Sequence, residues 1–437
     1  MLASFHPPKT PDPLALIAIL ALFVSPAHAP AADPTAHLLD EPPLAARLAG
    51  IDREWNLSFT AGQKVRVVPA KDLALWGRWR DTSTGPQILL AGGGVIRADV
   101  LQLDDESLVL GDATGLGRGL WDESTLPRRS IQAVLYQPPA GNLARDRLLD
   151  ELAAYDAGED RLLLAGGESV RGQLVAAPLD GAFLPEDAKP GQGVFRLVRR
   201  GSADPLEIPA GKVVALSLAT QSPLPRPAEM SAWLGCRDGS LVHAAAVEVQ
   251  GGDVALRLAG GGRLVTTLAG RSDPDHRFWD EVTLVQPLTS RVVWLSDVKP
   301  LGYKHIPLLS IERPYAADKS TSGGRLRSGG ATFLKGLGMH TASRLAYDVT
   351  GYRTFAAELA LDEAAGASGS VIFKVLLQPT EGDWTLAHES PVIRGGDAPA
   401  PVSIPLRGAQ RLALLVEFAD RGDTLDHANW LNARLIK

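Results

Sequence analysis

The sequence predicts an all-β protein in which small barrel repeats are followed by a two-sheet sandwich. The 437 residues include 44 glycines and 32 prolines, which is typical of many short strands joined by tight turns. Gly-rich turns recur between residues 50 and 290, and apolar residues alternate with polar ones along the last third of the chain. Alternation with a period of two is the pattern of strands buried on one face. At this length we expect two to four domains.

Composition excludes some functions. The net charge is −6, whereas non-specific nucleic-acid binding requires a basic surface. Cys236 is the only cysteine, so the chain has no internal disulfide and must be stable through its cores alone, unless its export compartment is mild. We interpret Cys236 as a packed small apolar residue, because no histidine or aspartate motif accompanies it.

The N-terminus has the pattern of an export signal. Lys9 precedes an apolar run over residues 14–24, and small residues follow it. Cleavage sites are 27–29 and 29–31, and we prefer the second because Pro30 would directly follow the first cut. We therefore predict a signal peptide over 1–31 and a secreted, periplasmic or cell-surface protein. An uncleaved N-terminal anchor is the alternative, although the run is short for a membrane span.

Three divergent β units follow. Each has a Gly-rich turn, alternating strands and a later Val/Ile-rich strand that comes after Pro or Ala, an order similar to SH3- and Sm-like barrels. Apolar residues at Leu148, Leu149, Leu152 and Tyr155 have helical spacing and predict a connecting helix. The predicted segments are a linker at 32–49, unit 1 at 50–142, the helix at 143–158, unit 2 at 159–225, unit 3 at 226–290, and the sandwich at 291–437.

The last segment contains clearly alternating strands. Apolar side chains at Leu345, Tyr347 and Val349 form one such face, and 355–361, 371–377 and 412–418 repeat the pattern. Several alternating strands at short spacing predict a two-sheet sandwich whose rim loops are free to bind.

Four stretches in this segment occur in an order that resembles the NPCBM family of carbohydrate-binding modules associated with glycoside hydrolases. They are 294–300 (WLSDVKP), 328–341 with the block KGLGMHT, 395–398 (GGDA) and 420–430 (DRGDTLDHANW). The resemblance covers about 291–437 and implies a galactose-binding-like β-sandwich, or jelly roll. It also implies that the chain binds a glycan or polysaccharide.

The candidate sugar-binding residues combine the groups that a sugar requires. Carboxylates, amides and imidazoles exchange hydrogen bonds with ring hydroxyls, and aromatic rings cover the apolar face of a sugar. The long loop after residue 301 adds tyrosines that are candidates for stacking, together with His305. The predicted carbohydrate-binding residues are His340, Asp426, His427, Asn429, Trp430, Tyr303 and Tyr315.

Each of these residues also has a structural interpretation. Trp430 is a candidate core residue, because tryptophan is heavily buried on average. Asp426 and His427 are alternatively strand-capping residues that bond to the backbone. His340 is as readily explained by a structural hydrogen bond, and loop tyrosines often only pack.

Calcium is a second expectation. Asp420, Asp423 and Asp426 are spaced by three in a Gly-containing loop, and hard cations prefer clusters of oxygen atoms. Some members of the family carry structural calcium, so the resemblance implies it as an option. Asn429 stands where an aspartate is common in the family, and 361–366 keeps two acidic positions where the family often has three. Solvated acidic turns are the alternative to calcium.

No catalytic motif is present. The sequence has no H-E-x-x-H, no G-x-S-x-G and no P-loop, and Gly115–Gly119 lacks the context of a nucleotide-binding loop. We expect an exported, non-catalytic carbohydrate-binding protein whose N-terminal repeats are a spacer or contact protein partners. The alternatives are an interaction scaffold with a degenerate sugar site and an accessory part of a glycoside hydrolase.

Overall fold

A computed structural model describes residues 33–81, 84–113, 119–177, 193–219, 229–267, 277–306, 311–420 and 422–437. The predicted signal peptide at 1–31 lies outside these residues. Residues Pro34–Lys437 form one compact unit. Within the described residues the α-helices are α1 (Asn142–Ala153) and α2 (Phe278–Glu281), and none is long and apolar enough to cross a membrane.

Four small barrel units occupy the N-terminal two thirds of the described chain. The strands of the first unit are β1 (Thr35–Leu38), β2 (Leu44–Ala45), β3 (Arg47–Ile51), β4 (Asn56–Ala61), β5 (Lys64–Pro69) and β6 (Leu73–Gly77). Those of the second are β7 (Gln87–Leu90), β8 (Val95–Arg97), β9 (Asp99–Leu103), β10 (Ser107–Gly111), β11 (Ser124–Pro127) and β12 (Ile131–Leu135). Those of the third are β13 (Asp160–Leu164), β14 (Ser169–Ala176), β15 (Val194–Val198), β16 (Leu206–Pro209) and β17 (Val213–Ser217). Those of the fourth are β18 (Ser231–Cys236), β19 (Leu241–Gln250), β20 (Asp253–Leu258), β21 (Arg263–Thr266) and β22 (Val282–Leu288).

Each unit pairs its last strand with its first. The antiparallel pairs are β1–β6, β7–β12, β13–β17 and β18–β22. The three-stranded meanders are β3-β4-β5, β9-β10-β11, β14-β15-β16 and β19-β20-β21, while β2 pairs with β1 and β8 pairs with β7. In the first three units a proline and a 3₁₀ turn precede the last strand, at 70–72, 128–130 and 210–212. Helix α2 takes this place in the fourth unit. This is the SH3/Sm-like order that the sequence predicts.

Two expected boundaries differ from the structure. The predicted linker at 32–49 is wrong, because it contains β1, β2 and the start of β3, and β1 pairs with β6. The sequence also predicts one unit at 50–142, where the structure has parts of two. Pro42 and Pro43 only separate β1 from β2, so local composition hid a strand whose partner lies some forty residues away.

Residues 291–437 form the two-sheet sandwich. Its strands are β23 (Val292–Trp294), β24 (Gly302–His305), β25 (Ala316–Ala317), β26 (Leu326–Ser328), β27 (Ala331–Phe333), β28 (Gly336–His340), β29 (Ser343–Asp348), β30 (Thr354–Leu361), β31 (Ser370–Pro379), β32 (Thr385–Glu389), β33 (Ile393–Arg394), β34 (Ala400–Pro405), β35 (Ala409–Phe418) and β36 (His427–Ile436). One sheet has the order β25-β28-β36-β30-β34, and the other has the order β24-β29-β35-β31-β32. The predicted alternating faces, including Tyr347, Phe355 and Phe373, form the buried core between them. The all-β class and the sandwich are confirmed.

Buried charges join the barrel units to the sandwich. The Arg327 guanidinium of β26 donates to Asp81 at 2.6 Å, after β6, and to both carboxylate oxygens of Asp146 on α1. Arg145 of α1 donates to Asp81 at 3.0 Å, and the backbone N–H of Arg325 donates to Asp146 at 2.8 Å. Burial would raise the pKa of Asp81, but hydrogen bonds and charge from the arginines lower it to about 2. We call these five residues the clamp.

Other contacts extend the same interface. Leu75 of β6 packs with Trp294 of β23 and Ile436 of β36. Arg78 pairs with Glu358 of β30 at 2.5 Å. The sandwich therefore shares both apolar and charged contacts with the first barrel unit.

We expect Arg327→Ala to lower the free energy of unfolding by about 3 kcal/mol, because it leaves two buried carboxylates with fewer counter-charges. Urea denaturation of the full chain measures this. Arg407→Ala, at an exposed turn, is the control and should change stability by less than about 0.5 kcal/mol. Equal effects of the two substitutions would contradict a stabilising role for the clamp.

Candidate functional site

Three histidines meet at one rim of the sandwich. His340 ends β28 and His427 begins the neighbouring β36, and the two face each other in the strand register. Their rings lie 5.7 Å apart in an edge-on arrangement, and the ring of His305, at the end of β24, lies 6.1 Å from that of His340. The rim therefore collects side chains from both sheets.

The turn after β28 orients these rings. The carbonyl oxygen of Thr341 accepts a hydrogen bond from Nδ1–H of His340 at 3.0 Å and another from Nε2–H of His305 at 2.9 Å. Nδ1 of His305 accepts from the backbone N–H of Arg313 at 3.0 Å. Both nitrogens of His305 are thus engaged, and this residue holds the loop in place.

Two ring nitrogens remain available. Nδ1 of His427 bonds to the Thr321 hydroxyl at 2.8 Å, which leaves its Nε2 without a partner among the described residues. Within the same part of the chain Nε2 of His340 is also unpaired, although the ring is only 1 % exposed. His427 is half-buried, so the accessible surface of the pair belongs mainly to it.

Both imidazoles are neutral near pH 7. Burial lowers the pKa of His427, and the nearby positive charge of Arg313 lowers it further. Burial also lowers the pKa of His340, against the Thr341 hydrogen bond, which raises it. A neutral imidazole has one donor and one acceptor, which suits it to a hydroxyl.

Asp426 lies beneath this rim, not on it. Its carboxylate has no exposed surface and accepts from the Thr341 hydroxyl at 2.9 Å and from the backbone N–H of Ser370 at 3.0 Å. Burial raises its pKa to about 6, although both hydrogen bonds oppose this rise. Asp426 therefore connects the turn of one sheet to a strand of the other, which matches the structural alternative for this residue.

Asn429 and Trp430 lie away from the rim. Asn429 is fully buried and its Nδ2 donates to Asp362 at 3.0 Å. Trp430 is also fully buried, with its ring 5.0 Å from that of Phe373. A ring enclosed by the core has no face for a sugar, so the expectation that Trp430 covers a ligand must be corrected. Residues 428 and 430 face the core because side chains alternate along β36.

The two predicted tyrosines pack against each other. The rings of Tyr303 and Tyr315 are 5.3 Å apart, and both lie half-buried against the sandwich core. The Tyr303 hydroxyl donates to the backbone carbonyl of Arg313. These contacts position the loop that carries Arg313, and no exposed stacking platform results.

The predicted calcium ligands do not come together. Asp420 pairs with Arg394, Asp426 is engaged as described above, and Asp423 lies on the loop between them. No group of three acidic, histidine or cysteine side chains among the described residues is placed to hold a metal ion. The residues therefore do not fit the expected site.

The sequence did not indicate three residues that shape the histidine rim. Arg313 lies between β24 and β25 and Thr321 lies between β25 and β26, where no periodicity or motif indicates that they approach β36. Thr341 directly follows the KGLGMH block, so its position was a usable signal. Only the fold shows that its carbonyl group orients two histidines.

Together these features define a β-sandwich module with a polar rim, attached to SH3/Sm-like units. Residues 291–436 match the family described as NPCBM/NEW2 domain. The C-terminal sandwich is thus an NPCBM/NEW2 domain, which confirms the resemblance.

Known proteins give the following similarities. A protein of Renibacterium salmoninarum named "Putative endo-alpha-N-acetylgalactosaminidase" is 30% identical over 157 residues, which are 35% of this chain and 10% of that protein. The chain therefore spans about a tenth of the length of this curated relative. The solved CBM51 from Clostridium perfringens GH95, in complex with methyl-galactose, is 23% identical over 33% of this chain and 99% of that chain, with a TM-score of 0.29. The CBM51-2 and INT domains of Clostridium perfringens ZmpB are 22% identical over 44% of this chain and 39% of that chain, with a TM-score of 0.30.

We expect Trp430→Ala to destabilise the full chain by about 3–5 kcal/mol, as large-to-small changes of buried aromatic residues do. Trp430→Phe should cost less, because it keeps most of the packing. Chemical denaturation measures both. If Trp430→Ala left stability unchanged, the ring would not be a core residue.

Asp426 gives a pH-dependent prediction. Its pKa is higher in the folded than in the unfolded chain, so its contribution to stability is present below about pH 4 and is lost as the pH rises through about 6. Between these limits we expect wild-type protein to lose about 2 kcal/mol relative to Asp426→Asn, which cannot ionise. Denaturation across this pH range measures the difference, with Asp383→Asn, at an exposed position between β31 and β32, as the control. A pH-independent difference would contradict the buried-carboxyl explanation.

Proposed function

We propose that this chain is an exported, non-catalytic carbohydrate-binding protein whose sugar site is the rim around His427. The observation that carries the proposal is the pair of neutral imidazoles that each keep a free Nε2 at the rim of an NPCBM/NEW2 domain. Thr321 and Arg313 add a hydroxyl group and a guanidinium group close to this pair. Such groups bind hydroxyls with directional hydrogen bonds.

The proposal gives different roles to the predicted residues. His427 and Arg313 contact the sugar. His340 supports the ring of His427, and its Nε2 accepts a hydrogen bond from one sugar hydroxyl. Asp426 and His305 keep the rim in shape. Export rests on the N-terminal pattern of Lys9 and the apolar run at 14–24.

A glycan array probed with the full chain, with and without calcium, tests sugar binding. N-acetylgalactosamine glycans are the first choice, because the curated relative is named for an N-acetylgalactosaminidase activity. We expect binding to be independent of calcium, since the acidic residues of the 420–426 loop are not gathered. Failure of any glycan to bind would overturn the proposal.

For a glycan that binds, we expect His427→Ala and Arg313→Ala each to weaken the affinity by about tenfold, the equivalent of one lost hydrogen bond of about 1.4 kcal/mol. Calorimetry measures this, with His388→Ala and Arg407→Ala as matched controls outside the rim. Affinity should also fall when the pH drops through the lowered pKa values of the two imidazoles, because their protonation removes an acceptor and adds charge beside Arg313. Equal losses in variant and control would contradict this site.

One observation favours a second candidate function. The buried Trp430 and the packed tyrosines leave the described rim without an exposed aromatic ring. This is expected of an interaction scaffold that has a degenerate sugar site. The glycan array separates the two candidates. A hydrolase assay on the same preparation tests association with glycoside hydrolase activity.

A further inference from the structure

An open cavity of about 1030 Å³ lies between the second and third barrel units, and no residue of the sandwich lines it. Its lining includes Arg128 of the 3₁₀ turn before β12, Arg171 and Gln173 of β14, and Arg199 and Arg200 after β15. Asp105, Glu159, Asp160 and Ser202 also line it. We call it the arginine cavity.

The floor of the arginine cavity is a fixed and neutral pair. Arg128 and Asp160 are 5 % and 2 % exposed, and Nη2 of Arg128 donates to both carboxylate oxygens, at 2.9 and 2.8 Å. Asp160 also accepts from the backbone N–H groups of Leu174 and Ala219. The charges of Arg128 and Asp160 therefore neutralise each other, and this ion pair holds β13 against the second unit.

The wall is different, because its arginines are exposed. Arg171 of β14 pairs in register with Arg161 of β13, and β14 also pairs with β15, which leads directly into the turn that carries Arg199 and Arg200. Gly172 fits this pairing, since a Cβ there would lie 3.4 Å from Cα of Arg199. Like charges at facing positions of neighbouring strands destabilise a sheet unless an opposite charge lies between them.

Arg161 has such partners, but Arg171, Arg199 and Arg200 have none among the described residues. Arg161 pairs with Glu151 at 2.9 Å and lies over the ring of Tyr155. Within the described chain no ion pair engages Arg171, Arg199 or Arg200, and all three are exposed. A chain with a net charge of −6 thus places three guanidinium groups that have no ion pair among the described residues around one concavity, which also contains the carboxylates of Asp105 and Glu159. Concave walls strengthen the field that such charges produce.

The lining suggests the ligand. Guanidinium groups bind carboxylate, sulfate and phosphate oxygens in a bidentate way. Gln173, Ser202 and the carboxylates of Asp105 and Glu159 add donors and acceptors suited to hydroxyl groups. The volume is at the upper end of the range for organic ligands and far exceeds that of a single small anion.

We propose that the arginine cavity binds an acidic oligosaccharide, whose oxyanion groups contact Arg171, Arg199 and Arg200 and whose hydroxyl groups contact the polar lining. This site is independent of the sandwich rim and does not depend on the sugar-binding proposal. It would give the barrel units a binding role of their own.

Binding of the full chain to three polymers at low salt tests the proposal. Polygalacturonate offers carboxylates, dextran sulfate offers sulfates, and neutral dextran offers neither. Binding to one or both acidic polymers but not to dextran is expected, and the preferred polymer identifies the oxyanion. Absence of binding to both acidic polymers would overturn the proposal.

The double variant Arg171→Gln/Arg200→Gln should weaken acidic-polymer binding by at least about tenfold, because two guanidinium contacts are lost. The control Arg257→Gln/Arg407→Gln removes the same charge at exposed positions elsewhere. An equal loss in this control would show a non-specific charge effect and overturn the site. Both doubles remove exposed side chains, and unchanged thermal unfolding confirms their folding. His427→Ala should leave polymer binding unchanged, which separates this site from the rim.

Discussion

The buried clamp between α1 and the β26–β27 hairpin is the interaction on which the rest of the structure depends. Arg327 bonds to Asp81 and Asp146, and its backbone N–H donates to Asp362 at 3.2 Å. Asp362 in turn accepts from Asn429, two residues from His427. Charges cannot be buried at low cost unless they are paired and hydrogen-bonded, so the clamp fixes the hairpin, the sandwich and the barrel units together.

The contacts of the β26–β27 hairpin also limit which residues of β36 reach the rim. The hairpin packs Leu326 and Phe333 against Leu431 and Ala360 on the outer face of one sheet. Asn429, farther along the same face of β36, is buried as a result. Only the first residue of the strand, His427, reaches the rim, so the site is confined to strand ends and loops. Because contacts with the barrel units stabilise the sandwich, binding is best measured on the full chain.

The two proposed sites use different electrostatics. At the rim, burial and Arg313 keep the imidazoles uncharged, which suits neutral hydroxyl groups. The arginine cavity keeps full positive charges on exposed side chains, which suits anions. Salt should therefore weaken binding in the cavity more than at the rim, since screening acts on charges and hardly on neutral hydrogen bonds. A glycan with neutral and acidic parts would be recognised by the two sites in different ways.

The sequence by itself determined the all-β class, the connecting helix, the Pro-plus-turn order of the barrel units and the NPCBM/NEW2 resemblance. These depend on local signals: alternation, turn residues and short ordered motifs. It also indicated His340 and His427. The tertiary structure decided which side of the sheet each neighbour of His427 occupies, and so buried Trp430 and Asn429. It also brought Arg313 and Thr321 to the rim, gave β1 its distant partner and gathered the cavity arginines from β14, the turn after β15 and the 3₁₀ turn before β12. Burial and cross-strand proximity depend on long-range packing, and no local pattern encodes them.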